Sequence, residues 1–468
     1  MTWLDLPADH PYGIHNLPYG VFSTPGTEPR VGVRVGDHVL DVGACAQQAG
    51  MESGAVWLAP SLNAFLAEGR QAWSAARAWL VEQLTNEVHR ECVEANLVPV
   101  DEVTMHLPVE VADYVDFYAS EHHATNVGRI FRPDSEPLTP NWKHLPIGYH
   151  GRSGTIVVSG TDVVRPSGQR KPPTEPVPVF GPSVRLDIEA ELGFVVGAAT
   201  RLGEPVALAD ADEHLFGVVL LNDWSARDLQ AWEYVPLGPF LGKSFATSIS
   251  PWVVTTDALQ AARVPLPGQD PEPLPYLHDE PTDDGAGTAY GLDVHVEVDW
   301  NGTVVSRPEF RDMYWSPAQM VAHMTVNGAT LRNGDLFGSG TVSGPEKGTR
   351  GCFLELTWER HRAGHPRRRV AAHLPRGRRH GHPARHRARP GRQRHRARRV
   401  RRQGAARALT EVRVRPAGGG APRPCRPACR AGTAAWRPRA ARPGRRCPPR
   451  RRGSTRTARS SAATCSPG

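Results

Sequence analysis

The stretch Arg185–Phe194, RLDIEAELGF, sets Asp187, Glu189 and Glu191 in alternation with Leu186, Ile188 and Leu192. Alternate side chains of a strand share a face, so this spacing predicts three carboxylates on one side and apolar groups on the other. Like charges at that spacing are costly on a buried strand unless something offsets them. A hard divalent cation, Mg²⁺ or Ca²⁺, prefers carboxylate oxygens and would do so. A solvated strand face is the plain alternative.

Two further acids fit the metal reading. Asp223 ends the apolar run FGVVLLND, where a strand leaves its sheet. Asp116 lies among aromatic residues in DYVDFYASEHHATN, and His123 follows seven residues later. An imidazole beside a metal acid can take a proton from water. Glu355, an acid inside the apolar run CFLELTW, is read as a buried strand residue able to orient that base. In NDWSARDLQAWEYVPLGPFLGKSF, Arg227 and Gln230 stand three apart and share a helix face, and Lys243 follows a loop. Such groups suit developing negative charge, although a helix surface with ordinary ion pairs reads the same way. The loop SGTVSG, with Thr341, could offer backbone N–H groups to an anion or be an ordinary turn.

Outward from these motifs, the chain divides by composition. Residues 1–110 read as a small unit with short strands in YGVFS and PRVGVRVGDHVLDV. A helix capped by Ser61 follows, carrying Leu62, Phe65, Trp73, Ala76 and Leu80. Residues 111–359 read as a larger, β-rich unit in which Asn301-Gly302 marks a hairpin. SPAQMVAHMTVNG opens a helix through a capping box of Ser316 and Gln319 with Pro317 at the first position. The Pro-rich RPSGQRKPPTEPVPVFGP reads as a long loop.

Residues 360–468 hold 34 arginines, no lysine and one acid, a net +33, against −25 for the preceding 359 residues. That Arg, Pro, Ala, Gly and His tail cannot bury a core and is expected to be disordered. The lack of lysine favours GC-rich DNA read out of frame over a nucleic-acid-binding arm, and nucleic acid is not the expected partner. No window reaches the ~18 unbroken apolar residues of a membrane span. The start lacks the basic and apolar regions of a secretory signal. Cys45, Cys92 and Cys352 are too far apart in sequence to suggest a pair, which fits a reducing, cytoplasmic setting.

Taken together, DYVDFYASEHHATNVG, NWKHLPIGYHGR, LDIEAELGF, NDWSARDLQAWEYVPLGPFLGKSF, GDLFGSGTVSG and IHNLPYGVFST closely resemble the fumarylacetoacetase family, from about residue 10 to Trp358. The resemblance implies a mainly β fold: a small SH3-like barrel followed by a mixed β-roll, in a homodimer. It implies metal-dependent cleavage by water of a carbon–carbon bond in the diketo acid 4-fumarylacetoacetate. Asp116, Glu189, Glu191 and Asp223 match the family's metal carboxylates, His123 its base and Glu355 the base's partner. Arg227, Gln230 and Lys243 match groups that stabilise the oxyanion and carbanion. Tyr118, Arg132, Tyr149, Tyr234 and Thr341 match substrate contacts. Lys243 and Thr247 lie, in the family, beside a second, structural cation, which lysine could meet only through backbone oxygen. Asp187 has no ligand role there and is expected to bond neighbouring polar groups. Other members of the wider superfamily, acylpyruvate hydrolases and decarboxylases of 2-oxo acids, share mainly the E-x-E strand and the distant acid. The family continues past Glu355 with strands that close the roll. The Arg-rich tail in their place predicts an unpaired edge and an unstable or weakly active chain.

Overall fold

The computed structural model describes residues 4, 6, 7, 10–51, 54–278, 287–362, 412 and 413. The expectations for the tail therefore lie outside the described residues, except at Val412–Arg413, which pair antiparallel with His295–Val296. No helix among the described residues is long and apolar enough to cross a membrane.

The fold is mainly β. Its centre is an eight-stranded mixed sheet. Tyr114–Phe117 runs parallel to Leu336–Gly338, which is antiparallel to Ala190–Val196. That strand in turn pairs antiparallel with Leu215–Asp223, which pairs with Thr247–Ile249. Both middle strands read as near-continuous apolar runs because both faces of the sheet are covered. The alternation is visible in the cores. Leu192, Phe194, Val196 and Val218 enter one hydrophobic cluster. Val195, Val219 and Leu221 enter another, together with Leu17, Tyr19, Trp57, Phe65 and Trp73 from the amino-terminal residues. The amino-terminal five-stranded antiparallel sheet thus shares its core with one face of the central sheet. Tyr19 and Val253 also exchange backbone hydrogen bonds of 2.9 and 2.7 Å.

Several local expectations hold. Ser316 and Gln319 form the capping box of the Pro317–Thr325 helix. Asn301 and Gly302 take positive φ, 54° and 81°, in the two-residue turn joining Val298–Trp300 to Thr303–Ser306.

Others are corrected. RLDIEAELGF is not one strand: Leu186–Asp187 pairs with Ser225–Ala226, and Ala190–Val196 belongs to the central sheet. The Asp187 carboxylate accepts the N–H of Ile188 at 2.8 Å, a side-chain bond where a ladder bond was expected. CFLELTW is not a strand but enters the Phe353–Arg362 helix. Asn63–Leu66 and Arg70–Thr85 are separate helices, broken at Gly69 with φ 81°, and Ser61 caps neither. The Pro-rich loop contains a hairpin of Ser167–Arg170 with Val179–Pro182. Cys45 and Cys92, remote in sequence, have sulfurs 3.8 Å apart.

Candidate active site and metal centre

Three strands of the central sheet deliver one acid each to the same place. Asp116 shares its face with Tyr114, Glu191 with Val195, and Asp223 with Val219 and Leu221, so all three point to the side of the sheet that holds the amino-terminal core. Their carboxylate oxygens lie within 4.8 Å of one another, and all three residues are buried. Burial first, and then the neighbouring carboxylates, push Asp116, Glu191 and Asp223 above the usual carboxylate range, with Lys243 opposing. Asp116 Oδ1 and Glu191 Oε1 have no hydrogen-bond partner. Buried, mutually repelling oxygens with free lone pairs are the donor set a hard divalent cation takes. The other Glu191 oxygen accepts the N–H of Gly340 at 3.0 Å. The Gly-flanked loop thus does present an N–H to an anion, and the anion is a protein carboxylate.

Glu189 stands beside this trio. It accepts from Arg227 Nη2 at 2.6 Å and from Lys243 Nζ. Burial opposes its ionisation, but Arg227, Lys243 and His123 outweigh it and hold Glu189 far below the usual range. Lys243 also donates to Asp223 Oδ2 at 2.5 Å and lies 3.9 Å from Asp116 Oδ2. Burial works against its charge, yet Asp223, Glu189 and Asp116 raise its pKa, so the ammonium persists. Thr247 Oγ1 donates to Asp223 Oδ1 at 3.1 Å.

His123 sits in the first turn of the Glu121–Phe131 helix, whose cap, Ser120, accepts the His123 N–H at 3.2 Å. Its Nδ1 is 2.7 Å from Glu355 Oε2, and its Nε2 is 3.8 Å from Glu189 Oε1. Glu355 is wholly buried. It accepts from Asn126 Nδ2 at 2.8 Å, Ser343 Oγ at 2.8 Å and Cys352 Sγ at 3.1 Å. Burial raises its pKa, but His123 foremost, with Asn126 and Cys352, brings it down to about 2. Asn126, Ser343 and Cys352 escaped the sequence reading. Asn126 alone left a signal, three residues after His123 on one helix face.

Arg227 donates through Nε to Asp187 Oδ2 at 2.8 Å and through Nη1 to Gln230 Oε1 at 3.0 Å, along the Arg227–Glu233 helix. Asp187 bonds polar neighbours as expected. The Tyr118 ring meets His123 edge-on at 5.4 Å. Tyr149 pairs with Asp116 across the two strands, and its phenol favours the charged form of that carboxylate against burial. Thr341 is buried with Oγ1 unpartnered, beside Gly340. Tyr234 ends the Arg227–Glu233 helix and leans on Phe131 at 6.1 Å. Arg132 donates to Pro137 O at 3.0 Å, so its guanidinium is engaged with its own loop rather than with the acids.

The chain is similar to known proteins along most of its length. Residues 113–372 match the family described as fumarylacetoacetate (FAA) hydrolase C-terminal, and residues 15–108 match fumarylacetoacetase N-terminal. The chain is 47% identical over 379 residues to the fumarylacetoacetase of Homo sapiens, covering 77% of this chain and 88% of that one. It is 47% identical over 382 residues to that of Bos taurus, covering 78% and 89%. With that of Caenorhabditis elegans it shares 48% identity over 378 residues, covering 76% and 88%.

Proposed function

This chain belongs to the fumarylacetoacetase family, and from that premise we propose how its buried site hydrolyses the carbon–carbon bond of 4-fumarylacetoacetate to fumarate and acetoacetate, the last step of tyrosine and phenylalanine breakdown. The observation that carries the reading is the trio Asp116, Glu191 and Asp223, with two unpartnered buried oxygens, joined through Lys243 and Glu189 to the His123–Glu355 pair.

Asp116, Glu191 and Asp223, with Glu189 beside them, would hold Mg²⁺ or Ca²⁺. The cation's contribution when bound is to polarise a 1,3-diketone through its oxygens and favour enolate charge. Everything else falls to side chains. Glu355 accepts the Nδ1–H of His123, which leaves Nε2 free to take a proton from water. The hydroxide oxygen bonds the ketone carbon, and the carbonyl pair moves onto oxygen. Collapse of that adduct breaks the carbon–carbon bond. The electron pair leaves with the acetoacetate carbon and is quenched by the proton that His123 took up. Lys243, held protonated, offers charge rather than a proton; Arg227 and Gln230 present donors beside it. Tyr118, Tyr149, Tyr234, Thr341 and Arg132 would contact the substrate and its carboxylates. Thr247, with the backbone of Lys243, would stand by a second, structural cation. The same reading takes residues 1–110 as an SH3-like barrel unit and residues 111–359 as the catalytic β-roll, and it makes the protein a cytoplasmic homodimer. The amino-terminal family match argues against another superfamily hydrolase.

The test follows loss of the diketone's absorbance. Chelation should abolish turnover and added Mg²⁺ restore it. His123→Ala should lose roughly 10²–10⁴-fold in kcat. Full turnover in the chelated protein, or in His123→Ala, would overturn the reading.

A further inference from the structure

We infer that Asp187 is a positioning residue that ties the partner of the base and the oxyanion arginine into one frame. The inference rests on the roles given above to Glu355 and Arg227. Asp187 is 3% exposed, and its side-chain hydrogen bonds go to none of the acid trio. Its Oδ1 accepts the N–H of Ile188 and of Phe353, each at 2.8 Å. Its Oδ2 accepts the N–H of Leu354 at 3.1 Å and Arg227 Nε at 2.8 Å.

Phe353 and Leu354 open the helix in which Glu355 is third. First-turn N–H groups have no partner inside their own helix, and a carboxylate there also meets the positive end of the helix dipole. Asp187 therefore fixes where the helix starts. That start fixes Glu355, and Glu355 fixes the Nδ1 side of His123. The remaining bond sets the plane of the guanidinium, whose other nitrogens reach Glu189 and Gln230. With four donors on two oxygens, the carboxylate's lone pairs are spoken for and none is left for substrate.

Asp187→Asn preserves shape but puts an NH₂ against N–H donors. The folded variant should lose roughly 100-fold in kcat, the cost of a small misplacement of reacting groups, with KM and product inhibition by acetoacetate little changed. A role in folding alone would lower the melting temperature and leave kcat per folded molecule intact. If Asp187→Asn does not fold, Phe353→Pro removes one of the four bonds at a first helical position that tolerates proline, with Phe353→Ala controlling for the ring. The same separation of kcat from KM is expected there, at smaller size. Wild-type kcat, or kcat and KM shifted together, would overturn the inference. An active His123→Ala would instead remove the underlying reading. His123→Ala inactive beside a fully active Asp187→Asn would remove only the role of Asp187.

Discussion

Glu355 shows how burial and partners compete over a single side chain. Its ordinary value of 4.5 falls to about 2, because His123 and the donors around it outweigh burial. A depressed carboxylate stabilises the fold above its unfolded pKa and loses that contribution as pH falls through its folded value. The window is thus pH 4.5 down to about 2, and the size is on the order of 3 kcal/mol. Glu355→Gln should melt lower than wild type at neutral pH and show a flatter decline through that window in a pH series of thermal melts. An unchanged slope would contradict the assignment. The ionisable members of the site were legible in the sequence because acids within apolar runs demand an explanation. Asn126, Ser343 and Cys352 were not. Neutral polar residues serve caps and turns everywhere: Asn126 stands near His123 in sequence but meets Glu355 across 229 residues, while Ser343 and Cys352, 12 and 3 residues from Glu355, carry no charge to set them apart from ordinary loop and core residues.

At the level of elements, the turn at Gly340 has little tolerance. Its φ is +75°, and a Cβ would meet Phe117 O at 2.3 Å. Gly340→Ala should destabilise by about 1–3 kcal/mol and displace the N–H that holds Glu191, lowering both the melting temperature and the activity. Ser316→Ala breaks a capping box whose two bonds run between Ser316 and Gln319. It should cost about 1 kcal/mol in a denaturant titration while kcat stays put. The capping box and the Asn301-Gly302 turn were readable because their chemistry is local. The Phe353–Arg362 helix was misread as a strand because its first N–H groups are satisfied by Asp187, 166 residues earlier. The break after Asp187 was hidden for the same reason: the residues that hold Asp187 and Glu189 in place, Arg227 bonding both and Cys352 bridging Glu189, lie far along the chain.

For the whole molecule, an aromatic cluster joins the amino-terminal residues to the central sheet. Phe216, on the central sheet, packs against Tyr19 and Phe65 at 5.7 Å and Trp73 at 5.3 Å from the amino-terminal residues. Phe216→Ala should cost about 3–5 kcal/mol and lower one shared melting transition rather than splitting it in two, as calorimetry would report. Sequence suggests a division near residue 110 and gives no sign of the shared cluster, since an apolar face looks alike whether its cover is near or distant in sequence. That sharing has a consequence for anyone who would cut the molecule. A fragment beginning at residue 111 keeps every acid of the site and the imidazole, yet it strips the cover from Val195, Val219 and Leu221, on the same sheet face from which the carboxylates project. Such a fragment would carry the full set of chemical tools on a warped bench, and water would wet the very face from which the acids reach for substrate.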